Sequence, residues 1–186
     1  TNAMISAFDV MLVDLQDLGC RIYTFITTLR YVLEAASRHR KAVWVLDRPN
    51  PAGRPVEGLK LRSGWESFVG AGPLPMRHGL TLGELGLWFV KMLKLDVDFR
   101  IIEMKDWQPD AAPGFGWPLG ERVWINPSPN APNLWMARAY AGTVMLEGTT
   151  LSEGRGTTRP LELFGASDVD ARAVMKEMTA LAPQWL

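Results

Sequence analysis

Two short apolar runs separated by one helical stripe constrain the fold more than anything else in the chain. Phe8 to Leu15 (FDVMLVDL) is a nearly continuous apolar run, as expected of a strand buried on both faces of a parallel sheet. Phe25, Leu29, Val32, Leu33 and Ala36 then fall on one face of a helix, and the basic cluster Arg38 to Lys41 lies at its carboxyl end. Ala42 to Leu46 (AVWVL) is a second β-rich run. Strand, helix and strand in this order make a parallel pair joined by a crossover. In such sheets ligands gather beyond the carboxyl ends of the strands.

The rest of the chain extends this pattern. Residues 49–79 are rich in proline and glycine and read as a long functional loop. Thr81 and Glu84 form a capping box that opens a helix running to about Leu95, with Leu80 and Leu85 as its hydrophobic staple. Phe99 to Met104 reads as a third strand, and residues 106–133 as a second irregular, proline-rich region. A short helix is expected over Trp135 to Tyr140, a strand over Thr143 to Leu146, and a helix from Asp170 to Leu181. The expected class is α/β: a Rossmann-like parallel sheet with flanking helices over residues 1–141. A glycine-rich segment, the start of a smaller α+β C-terminal domain, follows over residues 142–186.

Composition narrows the function. The formal net charge is zero, which gives no bulk attraction for nucleic acid or an anionic membrane. No apolar run is long enough to span a bilayer. Cys20 is the only cysteine, so no internal disulfide or thiolate metal cluster can form. No signal peptide is visible, and a periplasmic, secreted or cytoplasmic setting all fit. Dinucleotide and P-loop signatures, the G-x-S-x-G elbow and H-E-x-x-H are missing from the sequence.

Four polar clusters remain as candidates. Asp14, Gln16, Asp17, Arg21 and Tyr23 follow the first strand, where carboxylate and guanidinium can grip a polar ligand or brace the next helix. Arg48 and Asn50 sit in a turn locked by Pro49 and Pro51, which could hold a sugar hydroxyl or serve as an Asx cap. Arg77 and His78 precede the capped helix, whose N-terminus favours an anion. Asn126 and Asn130 lie beside Trp124, the most promising of eight tryptophans for stacking a sugar ring. They lead to the densest segment, Glu147 to Pro160, where Glu147, Glu153, Arg155, Thr157 and Arg159 are interleaved with three glycines. Two glutamates there could act as the carboxylate pair of glycosyl transfer.

These stretches, in order, resemble the exo-β-N-acetylmuramidase family: DVMLVDLQDLGCRIYTFI (9–26), VLDRPNPAGRPVEG (45–58), FVGAGPLPMRHGLTLGEL (68–85), WINPSPNAPNL (124–134) and GTVMLEGTTLSEGRGTTRPLELFGA (142–166). The resemblance implies a bacterial glycosidase that removes terminal β-linked N-acetylmuramic acid from peptidoglycan fragments during cell-wall turnover. It implies a site between a Rossmann-like domain and a smaller C-terminal one, and no metal or organic cofactor. Its partners would be muramic acid saccharides, and an unpaired sheet edge would favour a homodimer. Similar proteins carry a Gly-Pro-Glu-His-Gly block expected before Phe8 and more sequence after Leu186, so this chain alone is expected to be weakly active or inactive. Catalysis is assigned to Glu147 and Glu153. Binding is assigned to Asp14, Gln16, Arg21, Tyr23, Arg48, Asn50, Arg77, His78, Asn126, Asn130, Arg155, Thr157 and Arg159. The alternative is a carbohydrate- or anion-binding module that breaks no bond.

Overall fold

A computed structural model describes residues 2–108, 117, 120 and 122–185. A short helix α1 (Asn2–Ser6) precedes strand β1 (Val10–Val13). Helix α2 (Phe25–His39) leads to β2 (Ala42–Leu46), and α3 (Leu82–Leu93) to β3 (Phe99–Ile102). The three strands form one parallel sheet in the order β1-β2-β3, with Val13 opposite Val45 and Val45 opposite Ile101. The crossover architecture read from the apolar runs is therefore present, with β1 and β3 shorter than the runs that announce them and β2 matching its run.

Alternation along β1 and β2 decides which face is covered. Val13, Val43 and Val45 point into a core built with Ile26, Leu29 and Leu33 of α2 and Leu82, Leu85 and Phe89 of α3. Leu12 lies on the opposite alternation and is exposed. Helix α3 comes close to the sheet because it carries glycine: a Cβ on Gly86 would lie 2.4 Å from the Phe99 ring.

Two devices fix the start of α3. The capping box is complete, with Thr81 Oγ1 accepting from the Glu84 N–H and Glu84 accepting from the Thr81 N–H at 2.8 Å. Asp47, just past β2, accepts from Thr81 Oγ1 at 2.7 Å and from the Gly83 N–H at 2.8 Å. The helix N-terminus is thus docked on the carboxyl end of the central strand, where its free N–H groups meet a carboxylate.

Helix α4 (Leu134–Thr143) begins at Asn133, whose Oδ1 accepts from the Met136 N–H at 2.8 Å. The strand expected over Thr143 to Leu146 is not there. Those residues end α4 and enter a 3-10 helix, Val144–Gly148. Tertiary packing overrides the β-preference of Thr143 and Val144, because Tyr140 and Val144, one helical turn apart, both enter a second core. That core joins α4 to Leu18 and Cys20 after β1, to Met76 before α3, and to Leu161. Helix α5 (Ala171–Leu181) is capped by Asp170 and buries no residue.

Candidate functional site

The loops after β1, after β2 and before α3 meet in a narrow backbone ladder. Cys20 pairs with Arg77 and Arg77 with Glu57, both antiparallel. The Arg21 N–H donates to Met76 O at 2.8 Å, and Glu57 and Arg77 exchange both backbone bonds at 3.0 Å. This ladder carries three charged side chains, Arg21, Glu57 and Arg77, to the floor of the same cleft.

The cleft measures about 760 Å³, ample for a saccharide of more than one ring. One wall is the loop bearing Lys60, Arg62 and Trp65; the other is α4 and its extension, with Arg138 and Met145. Its two walls therefore come from the two parts of the chain that the second core ties together. Glu57 is the single carboxylate among five cationic lining residues.

Each floor residue is held differently. Arg21 is buried, and its Nη1 donates to Leu59 O at 2.8 Å and Leu74 O at 2.5 Å. Burial lowers its pKa, and its role is to brace the cleft wall from beneath. Arg77 donates through Nε to Ala52 O at 2.9 Å and through Nη1 to Glu57 Oε2 at 2.7 Å. The Glu57 side chain is 63% exposed, so this carboxylate is fixed at its root and open at its tip. Arg138 lies over the Trp135 ring, and burial followed by the charge of Arg77 lowers its pKa. Two guanidiniums that repel one another in a half-buried cleft are stabilised by an anion.

A buried polar knot lies behind the ladder. Asp17 Oδ2 accepts from the Gly19 N–H at 2.7 Å and stands 3.4 Å from His78 Nε2. His78 Nδ1 accepts from the Leu80 N–H at 3.2 Å, so the neutral ring carries its proton on Nε2. Asn50 spends both ends of its amide on the backbone, accepting from Ala52 N–H and donating to Leu80 O, each at 2.9 Å. Asn50 and His78 are therefore framework for the cleft. Tyr23 hydrogen-bonds Ser128 and so ties the 126–130 loop to the same layer; its pKa is raised, burial being the largest cause.

Other expected residues form two further groups. Asp14, Gln16, Arg48 and Asn126 line a separate hollow of about 520 Å³ at the carboxyl ends of β1 and β2. There the Arg48 hydrogen bond at 2.5 Å lowers the pKa of Asp14 despite partial burial. Gln16 donates to Asp17 O and Pro49 O. Arg122 joins this hollow, a cation in an irregular stretch with no motif to single it out. In the glycine-rich segment, Arg155 forms ion pairs with both Glu147 and Glu153, the latter at 2.6 Å. Tyr140, whose pKa is raised by burial and then by the charges of Cys20 and Glu147, links this triad to the ladder. Thr157 donates to Gly154 O at 2.6 Å and Arg159 pairs with Glu162 at 2.7 Å, shaping the segment. Asn130 is half-buried in the loop tied down by Tyr23.

Glu57 and Arg138 are among the cleft residues that sequence reasoning missed, with Lys60, Arg62 and Trp65. Glu57 lies in a loop without periodicity, and only its pairing with Arg77 reveals it. Arg138 sits inside a helix whose exposed face was unknown. Among the described residues, no group of three or more His, Cys, Asp or Glu is placed to hold a metal ion, and no helix is long and apolar enough to cross a membrane.

Sheet, ladder and cleft together define a parallel-sheet α/β protein with a cationic, carboxylate-bearing cleft between its N- and C-terminal parts. Sequence comparison gives the same division: residues 1–135 match the family model "Exo-beta-N-acetylmuramidase NamZ, N-terminal" and residues 138–185 match its C-terminal counterpart. The chain belongs to the NamZ family. It is 38% identical over 182 residues to the peptidoglycan beta-N-acetylmuramidase NamZ of Bacillus subtilis (strain 168), covering 97% of this chain and 43% of that protein. Two crystal structures of DUF1343 family proteins from Bacteroides fragilis NCTC 9343 superpose with TM-scores of 0.82 and 0.87. Their identities are 34% and 33%, over 92% and 97% of this chain and 47% of each of theirs. The chain thus spans less than half the length of the relatives it matches.

Proposed function

We propose that this chain provides the substrate cleft and part of the catalytic apparatus of a glycosidase that removes terminal β-linked N-acetylmuramic acid from peptidoglycan fragments. The observation that carries the reading is the cleft itself, with Arg77 and Glu57 at its floor and Arg138 on its α4 wall. N-acetylmuramic acid differs from other amino sugars by a lactyl carboxylate, and facing guanidiniums are suited to that group. Residues 1–141 supply the floor and most of both walls, and the segment from residue 142 adds Gly142 and Met145 to the lining and carries the Glu147–Arg155–Glu153 triad outside it.

Cleavage of a glycosidic bond needs a proton for the leaving oxygen and negative charge near the anomeric carbon. Glu147 and Glu153 are the proposed catalytic pair. Held against one guanidinium, they present oriented carboxylates whose charge suits an oxocarbenium-like centre. Glu57 is a separate carboxylate, set in the cleft, whose lining does not include the pair. Arg155 orients the pair, Thr157 and Arg159 shape the loop that bears it, and Asp14, Gln16, Arg48 and Asn126, with Asn130 in the same loop as Asn126, offer a separate polar hollow for further substrate contacts. Tyr23, Asn50 and His78 hold these loops in register.

The test is release of N-acetylmuramic acid from a chromogenic β-muramide by a form of the protein as long as its relatives. Release is expected, with a loss of at least about a hundredfold in Glu147→Gln or Glu153→Gln, the scale of a lost acid–base or electrostatic group. No release by the long form, together with unchanged sugar binding in both variants, would reject catalysis in favour of a binding module.

A further inference from the structure

The cleft contains a large apolar side chain that nothing in the fold uses. Trp65 lies on its wall and is 73% exposed. Among the described residues its indole has no hydrogen bond, ring or cation partner. Yet the loop that carries it is built to hold a position. Leu61 N–H donates to Leu74 O at 3.1 Å, Trp65 N–H to Arg62 O at 3.2 Å, and Ser67 and Gly70 exchange both backbone bonds at 3.0 Å. Thr27 of α2 donates to Phe68 O at 2.7 Å, and the Phe68 ring stacks on Tyr31 at 6.3 Å. An exposed indole on so fixed a loop is a preorganised surface.

The facing wall is cut back. Helix α4 contributes Ala139, Ala141 and Gly142 to the cleft, and a Cβ on Gly142 would meet nothing within 4 Å. A broad aromatic face on one side and small side chains on the other leave a slot for a flat ring. The cations Arg77 at the floor and Arg138 on α4, with Lys60 and Arg62 on the loop, set the charge of whatever fills it. We propose that Trp65 is a specificity-determining platform that stacks the pyranose ring next to the muramic acid residue, the leaving saccharide. This rests on the muramidase reading and deepens it: the apolar C–H face of the second sugar covers the indole, while the carboxylate of the first meets the guanidiniums.

The test compares two substrates in the long form of the protein. One is a muramic acid-terminated disaccharide and the other a methyl β-muramide, which has no second ring. Trp65→Ala is expected to lower kcat/KM for the disaccharide roughly three- to tenfold, the range of one aromatic contact. It should leave the methyl glycoside within about twofold, and Trp65→Phe should restore most of the loss. The side chain is exposed, so the substitution spares the core. Equal effects on both substrates, or none on either, would overturn the platform. Disaccharide binding, followed by the shift of the Trp65 indole N–H resonance, separates the two ideas. Wild-type protein that binds no disaccharide refutes the muramidase reading and the platform together. Binding that leaves the Trp65 resonance unmoved refutes the platform alone.

Discussion

Replacing Gly19 by alanine should destabilise the protein far more than the same change at Gly64, and the difference can be worked from the structure. Both glycines have positive φ, +76° and +86°, so both pay the penalty of a side chain in the left-handed region, about 1–2 kcal/mol. A Cβ on Gly64 meets nothing within 4 Å. At Gly19 it would lie 2.1 Å from Asn50 Oδ1 and 2.6 Å from the Ala52 Cβ. Asn50 is buried and uses both ends of its amide, so it cannot swing aside without stranding the Ala52 N–H and Leu80 O. Overpacking and two weakened hydrogen bonds bring the total for Gly19→Ala to about 3–5 kcal/mol. Urea denaturation followed by tryptophan fluorescence measures both variants, with stability read from the midpoint at an unchanged slope. A Gly19→Ala variant within about 0.5 kcal/mol of Gly64→Ala would refute the claim that the knot is packed to its limit.

The thiol of Cys20 is fully buried, and burial pushes its pKa up to about 12. A thiol reagent at pH 8 should therefore label it only as fast as the protein opens, and stoichiometric labelling of the native state within minutes would contradict this. Burial alone would raise the pKa of Glu84, but the paired Arg54 bonds and the Thr81 N–H outweigh it and hold it below 4.5. A depressed folded-state pKa gives stability that is present above the unfolded value and lost as pH falls through the folded one. The stability gap between wild type and Glu84→Gln, about 1 kcal/mol or less at pH 7, should thus close on acidification below about pH 4.5; a gap constant with pH would count against it. Arg155→Ala removes the shared partner of Glu147 and Glu153. Activity should fall at least about tenfold while the melting temperature barely changes, because the group is 40% exposed and such pairs contribute little stability. A large drop in melting temperature would make Arg155 structural.

The elements written in local chemistry were legible. Thr81 and Glu84 specify a helix start with side-chain bonds inside one turn, and β2 needs only its own five residues. What tertiary contact decides was not. Val144 favours a strand, yet the second core draws it into register one turn beyond Tyr140. Of the motif residues, Arg21 and Arg77 line the cleft and Asp14, Gln16, Arg48 and Asn126 the separate hollow, but residue type alone does not reveal which polar groups are spent inside the protein. Asn50 carries an amide suited to ligands and spends both ends of it on the backbone, while His78 turns Nδ1 to the Leu80 N–H and Nε2 toward Asp17. Glu57 carries no local signal at all, because its neighbours are chosen by a ladder between distant loops.

That ladder also sets an order of assembly. The bonds from Arg21 that brace the cleft reach Leu59 and Leu74, 38 and 53 residues along the chain. Loops of that length close at an entropic cost that only finished contacts offset. The helix–sheet core, with its own apolar contacts, can form before they do. The cleft loops are then expected to close after that core forms, and their amides to exchange with solvent ahead of those in the strands. A site of this kind gains rigidity when a ligand joins its loops, so the proposed substrate would complete the folding of its own pocket.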